Sequence, residues 1–426
     1  MTGRSRAGAA ALAAAAVHVP SMWGVFQFDD YNVIVNEGFA ATMGSGVRPL
    51  LKASYALNWS LSHGPAGFHA FNIAVHALNA ALVYALGAEL CRRWKAGEDA
   101  ALAAALLFAL HPAQTEAVTY ICGRSSSLMA SFYLGAALLY MRAAPGLAAA
   151  ALFVLSLLVK ESAITLPAAL ILLDGRLAWR RQAPVWLAAG AGLLVMLASA
   201  RYRDLLGYGF TQRGFLDNVL TQVNGVWYLL ARLTTLRGYN IDPGLPELSA
   251  WTPALAAQTA GLAALLAFGA WSLRRRPALG FGILWFFLQL APTNSFVPRL
   301  DPANDRQLYL ACWGPFLALA ATVRARSALA VLLVLFAGAS VSRQLDYRSE
   351  VRLWEASVRE APDNARARNN LGLAYQEAGR REDARAQYRA ALRLKPDYTR
   401  AGVNLRLLEW EAPARPGTAA PGPAPR

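Results

Sequence analysis

Long apolar runs, each interrupted by a few charged or turn-forming residues, fill the first 343 positions, after which the pattern changes to short amphipathic helices. A helix needs about 20 mostly apolar residues to cross the hydrocarbon of a bilayer. Candidate runs fall near 7–27, 69–91, 100–120, 126–142, 146–159, 162–177, 184–200, 254–273, 279–297, 306–323 and 327–343. A further segment, 219–237, is apolar but carries Arg232 and Arg237. The pattern predicts an all-α, polytopic membrane chain.

Orientation follows from Lys and Arg in short loops, which favour the cytoplasmic side. Arg4 and Arg6, the group Arg92, Arg93 and Lys95, Arg142, the group Arg176, Arg180 and Arg181, Arg274–Arg276, and the pair Arg324 and Arg326 all fall on one side if 219–237 makes no net crossing. That segment is therefore read as interfacial or re-entrant, leaving about 11 spans and an external C-terminus. The outer loops, 28–68, 111–125, 160–161, 201–253 and 293–305, carry the acids, Asn, His and aromatic residues. Function is expected on that face.

Residues 365–398 fit a 34-residue tetratricopeptide repeat, with Leu371, Gly372, Tyr375, Ala384, Tyr388, Ala391 and Pro396 at the required offsets. Trp354, Ser357 and Pro362 echo it upstream, and Asn404 and Leu405 downstream, so flanking half-repeats cap a full one. The predicted division is a membrane domain over 1–343, a repeat region over 344–411 and a disordered Pro/Ala-rich tail over 412–426. A repeat of this kind binds a protein or peptide and has no chemistry of its own.

Composition sharpens this picture. Of 426 residues, 56% are hydrophobic and only 16% charged, too few polar side chains to coat a soluble protein of this size. The net charge of +15 resides in Lys and Arg that punctuate apolar runs and form no groove pattern, so nucleic-acid binding is not expected. Three cysteines without CxxC spacing and five histidines before residue 112 without paired ligand spacing predict no metal and no cofactor.

The candidate chemistry begins at Asp29 and Asp30, adjacent acids where the first span meets water. A carboxylate there can take the proton of an acceptor hydroxyl, although two acids can also simply end a helix. Arg48 follows, then His69, Asn72 and His76 at i, i+3 and i+7 on one helical face; His76 reads as a packing residue. His111, Glu116 and Arg124 mark the outer end of the third span, Lys160 and Glu161 that of the fifth, and Arg306 and Tyr309 the last external loop. The cations suit a phosphate, which Arg recognises through its planar fork.

The run FDDYNVIVN, the pieces RPL, FHAFN…H, HPAQTEAV…GR and KES, NID at 240–242, and PTN…R..YL together resemble the transmembrane, tetratricopeptide-containing O-mannosyltransferases. That family is a branch of the C-type glycosyltransferase fold and takes sugars from polyprenyl-phosphate carriers. The resemblance covers about 20–411. It implies that Asp29 and Asp30 form the family's catalytic acidic motif. Arg124, Lys160 and Arg306 are then expected near the donor phosphate, and Arg48, His69, Asn72, His111, Glu116, Glu161 and Tyr309 near the acceptor or sugar. The implied partners are a polyprenyl-phosphate sugar, the lipid membrane, and an acceptor protein or peptide engaged by the repeat. Eukaryotic members carry many repeats and this chain little more than one, which leaves the acceptor open. High Ala and Arg content points to a bacterial chain in the inner membrane, with active face and repeat in the periplasm. The expected activity is inverting transfer of a monosaccharide, mannose by the resemblance, to a hydroxyl. Two other readings stay open: a non-catalytic scaffold anchored by its spans, and a lipid or solute transporter. The second would favour charges midway through spans and inverted repeats, whereas the charges here sit at span ends.

Overall fold

The computed structural model describes residues 2–35, 47–323 and 325–410; Asn36, Arg324 and the tail from 412 lie outside the described residues. Among the described residues every regular element is helical. Four helices are long and apolar enough to cross a membrane: Pro65–Arg93, Trp179–Ala198, Pro253–Arg275 and Arg326–Asp346. Gly146–Val159, Pro277–Leu290 and Trp313–Thr322 are apolar but shorter. These helices fit a membrane protein. So do the apolar side chains on their outer faces: Leu187, Leu194 and Val195 on one helix and Val331 and Val334 on another are all more than half exposed. Patches of this extent would be unfavourable in water.

Several expected runs are broken by identifiable residues. The 100–120 run forms Glu98–Leu110 and then turns by 53° into Pro112–Val118. Pro112 lacks an N–H and disfavours helical backbone at His111, which is extended at φ −69°, ψ 133°. If that pair is one bent span, the helices able to cross number five. The first run is α-helical only over Gly3–His18 and tightens into a 3₁₀ turn, Val19–Trp23, at Pro20. Extended backbone at Lys160 likewise separates Gly146–Val159 from Glu161–Thr165. These interruptions are where polar residues gather.

Pro65–Arg93 is the central helix, packed against Gly3–His18, Glu98–Leu110 and Arg124–Met141. It opens on Pro65 at the first turn and closes on Arg92 and Arg93, both favoured positions. Its 29 residues extend about 43 Å, ample for the hydrocarbon. The basic loops meet at one end of the bundle. Arg6 pairs with Glu98 and Asp99, Arg326 with Asp99, Arg142 with Glu89, and both Arg93 and Arg176 with Asp174. Asp29 lies past the far end of the first helix, at the opposite pole. Phe215–Arg232 is amphipathic and buries Asn218, Leu220, Thr221, Gln222, Gly225, Val226 and Leu229.

The C-terminal part is four short helices, Glu350–Glu360, Ala365–Glu377, Arg381–Leu394 and Thr399–Trp410, each packed on the next. Leu371, Tyr375, Ala384, Tyr388 and Ala391 are buried between them. Gly372 permits the close approach, because a Cβ there would lie 2.6 Å from Cε1 of Tyr388. This unit is bolted to the rest of the chain. Arg366 binds both Asp242 oxygens (2.5 and 2.6 Å) and Asp301 (2.6 Å), and Asn240 donates to the carbonyl of Ser357.

Candidate active site

The chain leaves its first helix through Val19–Trp23 and delivers the two acids in different environments. Asp30 is 1% exposed. One of its oxygens accepts from the N–H of Gln27 (3.0 Å) and the other from the N–H of Cys122 (2.8 Å), which ties the loop to the 111–125 segment. Burial pushes its carboxyl up to about 7, held back by the Cys122 and Gln27 hydrogen bonds. Asp29 donates its N–H to the hydroxyl of Tyr120 (3.2 Å), and its side chain lines a cavity of about 480 Å³. Burial raises the Asp29 carboxyl from its ordinary value, opposed by the charge of Arg306 and a hydrogen bond from Tyr120.

The preceding residue fixes the turn. Phe28 has φ 50°, a left-handed conformation rare for a bulky side chain. Glu350 accepts its N–H at 2.6 Å, and its ring meets Trp354 edge-on at 5.3 Å between centroids. Gln27 also donates through Nε2 to the carbonyl of Tyr347 (2.8 Å). Three contacts, from Tyr347, Glu350 and Trp354, therefore hold the acidic loop.

Around the same cavity stand Arg48, Lys52, Lys160, Arg201, Arg299 and Arg306, six basic side chains facing one carboxylate. Arg48, itself at φ 52°, grips Glu161 through Nε and Nη2 at 2.8–3.0 Å, and Tyr202 also donates to that carboxylate (3.0 Å). Burial pushes Glu161 upward, but Arg48 more than reverses this and brings it to about 2. Lys160 donates to Ser126 Oγ (2.7 Å); burial, then the charges of Arg299, Arg48 and Arg306, hold its amine well below the usual lysine range. Burial, with Arg306 and Arg48 nearby, lowers Arg299 to about 10. Arg306 is opposed by burial but favoured by Glu116, which lies 3.6 Å from Nε and also accepts its N–H (3.1 Å); its pKa is raised. Val33, Val47, Leu51 and Leu205 form an apolar wall, and Tyr55, Cys122 and Ser125 complete the lining. A fixed cationic cluster beside an apolar wall and a carboxylate of raised pKa suits an amphiphile with an anionic head.

The other residues named from sequence fall into two groups. Tyr309 joins Lys160 and Arg306 around a second cavity of about 20 Å³, and its hydroxyl contacts His76 Nδ1 (2.8 Å) and Asn79 (2.9 Å). Glu116 acts on the cavity through Arg306. Arg124, Asn72, His69 and His111 do not line either cavity. Arg124 is fully buried, donating to Asn72 (2.7 Å), to Ser54 (3.1 Å) and to the carbonyl of Phe68 (3.3 Å), with its guanidinium 4.4–5.4 Å from the rings of Phe71, Tyr55 and Phe68. It braces the wall that carries Tyr55. Asn72 donates to the carbonyl of Val118 (3.1 Å). His69 packs beside Gly24, where a Cβ would come within 2.8 Å of Nε2, and His111 accepts from the N–H of Ala113 and packs 4.4 Å from Phe336. Sequence reasoning missed Lys52, Arg201, Arg299, Tyr55 and Ser126. Arg299 had a visible signal: it shares the polar 293–305 loop that leads into Arg306.

Comparison with known proteins points one way. The chain matches no family model. A Caenorhabditis elegans protein named as a protein O-mannosyl-transferase is 26% identical over 385 residues, 82% of this chain and 54% of that protein. A Homo sapiens protein O-mannosyl-transferase is 36% identical over 113 residues, 24% of this chain and 15% of its own length. A Mus musculus one is 38% identical over 96 residues, 22% and 10%. The chain thus spans about half the length of the first of these relatives and far less of the other two.

Proposed function

We propose that this chain is an inverting membrane glycosyltransferase that moves a monosaccharide, mannose by the naming of its relatives, from a polyprenyl-phosphate donor to an acceptor hydroxyl. The observation that carries the reading is Asp29 facing six basic side chains across a cavity with one apolar wall, at the end of a bundle of apolar helices. In this reaction the acceptor oxygen attacks the anomeric carbon from the face opposite the phosphate, and its proton passes to the Asp29 carboxylate. The bond from the anomeric carbon to the phosphate oxygen breaks, leaving the lipid phosphate to carry the electron pair. Arg299, Arg306 and Lys160 stabilise that developing charge, the larger part of the catalysis. Asp30, held by two backbone N–H groups, positions its neighbour. Arg124 supports the wall from behind.

The cations take the place of a divalent ion, so chelators are expected to leave the rate unchanged. The architecture in this reading is a membrane domain over 1–343 with about 11 crossings, and a tetratricopeptide unit over 344–411 on the same external side as Asp29. The Glu350–Phe28 and Arg366–Asp301 contacts support that shared side. In a bacterial cell this side is the periplasm. A reporter that matures only outside the cytoplasm, fused after Trp410, should be active; cytoplasmic maturation would overturn the topology.

The test of activity is transfer of radiolabelled mannose from polyprenyl phosphate by purified protein to peptide, lipid and glycan acceptors. Label is expected in an acceptor with inverted configuration. Folded protein that moves label to none of them would refute the reading.

A further inference from the structure

Where the last long helix, Arg326–Asp346, ends, it forms a recess of about 260 Å³ with the turn that follows Phe215–Arg232 and with the helix Glu350–Glu360. That last long helix has 21 residues, so its ends lie about 31 Å apart, close to the thickness of the hydrocarbon. Arg326 belongs to the basic pole through its pair with Asp99, which puts the recess at the headgroup level of the opposite face. Three arginines line it, Arg237, Arg343 and Arg359, together with two acids, Asp346 and Glu360. Arg343 is buried and donates to Asp346 (2.8 Å). Arg237, Arg359 and Glu360 are exposed, and none of the three makes an ion pair among the described residues. Val331, Leu335, Ala339, Ser342 and Asp346 follow one another at intervals of three or four, so they share one helical face that leads into the recess. Val331 is 59% and Leu335 48% exposed. An apolar track therefore runs from the hydrocarbon to a charged pocket.

We propose that this recess binds one phospholipid whose headgroup carries a primary ammonium, with an acyl chain along the track of Val331 and Leu335. The Arg343–Asp346 pair leaves Arg237 and Arg359 for the phosphate and Glu360 for the ammonium. Arg meets a phosphate through a planar fork of N–H donors. A carboxylate accepts N–H groups, which an ethanolamine headgroup has and a choline headgroup lacks. A glycerol headgroup has no cation to set against Glu360. A soluble phosphate would leave the apolar track uncovered. The charge pattern and the track together therefore select an amphiphile that is anionic and cationic at once. The recess joins the last span, the turn at Arg237 and the first C-terminal helix, so its occupant ties the C-terminal helices to the membrane domain. The site stands apart from the sugar-transfer reading, because none of the residues lining it lines the cavity of Asp29.

The experiment is native mass spectrometry of full-length, delipidated protein in detergent. It is titrated with phosphatidylethanolamine, phosphatidylglycerol or phosphatidylcholine of the same acyl chains, and separately with glycerophosphoethanolamine and inorganic phosphate. Wild type should retain one phosphatidylethanolamine at concentrations where the other lipids are lost, and should bind neither soluble compound. Loss of a hydrogen bond to a charged group corresponds to about tenfold or more in affinity. Arg237→Gln with Arg359→Gln should therefore raise the Kd of that lipid at least about tenfold. Ser342→Trp fills the recess without changing a charge and should give a similar loss. Glu360→Gln should erase the preference for ethanolamine over glycerol and leave phosphatidylglycerol bound no more weakly than in wild type. Thermal melting reads the same site: phosphatidylethanolamine should raise the midpoint of wild type more than that of the double variant. Undiminished phosphatidylethanolamine binding in both the double variant and Ser342→Trp would overturn the proposal. Equal affinity of wild type for the ethanolamine and glycerol lipids would overturn it too, as would saturation by either soluble compound at the same concentration. The lipid count is read without donor or acceptor, so this proposal and the transferase reading fail separately.

Discussion

Either side of Phe28 the protein builds a recess, and the two are made of opposite materials. The recess at Asp29 concentrates charge: burial, and then the neighbouring Arg48, Arg299 and Arg306, depress the basicity of Lys160, and burial with Arg306 and Arg48 does the same to Arg299. The recess at Asn369 mixes aromatic and aliphatic side chains with a row of amides bonded to one another, and Arg400 is its one lining cation among the described residues. Buried like charges are tolerated only where something of opposite sign is brought to them. A neutral amide line has no such demand, because its members satisfy one another. The first recess therefore gathers its basic side chains around one carboxylate, whereas the described lining of the second presents no such cluster.

The sharpest way to break this comparison is at its catalytic edge. Asp29→Asn keeps the shape but removes the base, and should lower kcat by about 10²–10⁴-fold, the range for general-base catalysis. Asp30→Asn should act through the fold instead. Its amide cannot accept from both Gln27 and Cys122, so the melting temperature should drop along with the rate. Equal activity in Asp29→Asn and wild type would move the chemistry elsewhere. The pH profile offers a second handle on the same residue. Burial raises the Asp29 carboxyl and Arg306 lowers it, and the base must be ionised to work. The rate should therefore rise with pH along a limb displaced upward from that of an ordinary Asp. Arg306→Gln should move that limb to higher pH, while Arg306→Lys should move it less.

On the cationic side, Arg306→Ala should remove about 2–4 kcal/mol of transition-state stabilisation, roughly a hundredfold in rate. Lys160→Ala should fall in the same range, and addition of a chelator should change neither. Radiolabel transfer at saturating peptide measures both. Wild-type rates for both variants would mean that the phosphate is held elsewhere, and chelator sensitivity would mean that a metal takes part.

Much of this was legible before any coordinates. Apolar runs announced the helices, and polar residues at their ends marked the pole where the cationic cavity lies. Local spacing also announced the packing of Leu371, Gly372, Tyr375 and Tyr388. What could not be read was which polar residue faces inward. Asp29 and Asp30 are neighbours of one type, and they differ only because Cys122, 92 positions on, consumes one of them. Arg124 reads like Arg306, yet Asn72, Ser54 and three aromatic rings enclose it. Such outcomes depend on long-range contacts that no local pattern encodes. The same is true of the break at His111, where a proline turned an apparent span into a bent pair.

The smallest expected effect tests how the two recesses communicate. Glu350 accepts the N–H of Phe28 with one oxygen (2.6 Å) and the indole N–H of Trp354 with the other (2.7 Å). A carboxylate can do both, whereas Gln has a single acceptor oxygen, so Glu350→Gln must release one donor. The lost hydrogen bond is worth about 1–3 kcal/mol where the acceptor is charged, and only part of that reaches Asp29 through the left-handed turn at Phe28. A fall in kcat of about tenfold or less is expected, with the KM for the polyprenyl donor unchanged, because no cationic side chain moves. Trp354→Phe keeps the ring against Phe28 and removes the other donor, so it should lower kcat less than Glu350→Gln does. Thermal melting separates this positioning role from simple packing. If both variants melt earlier yet turn over at the wild-type kcat, the C-terminal helices merely rest on the acidic loop, and the two recesses work independently.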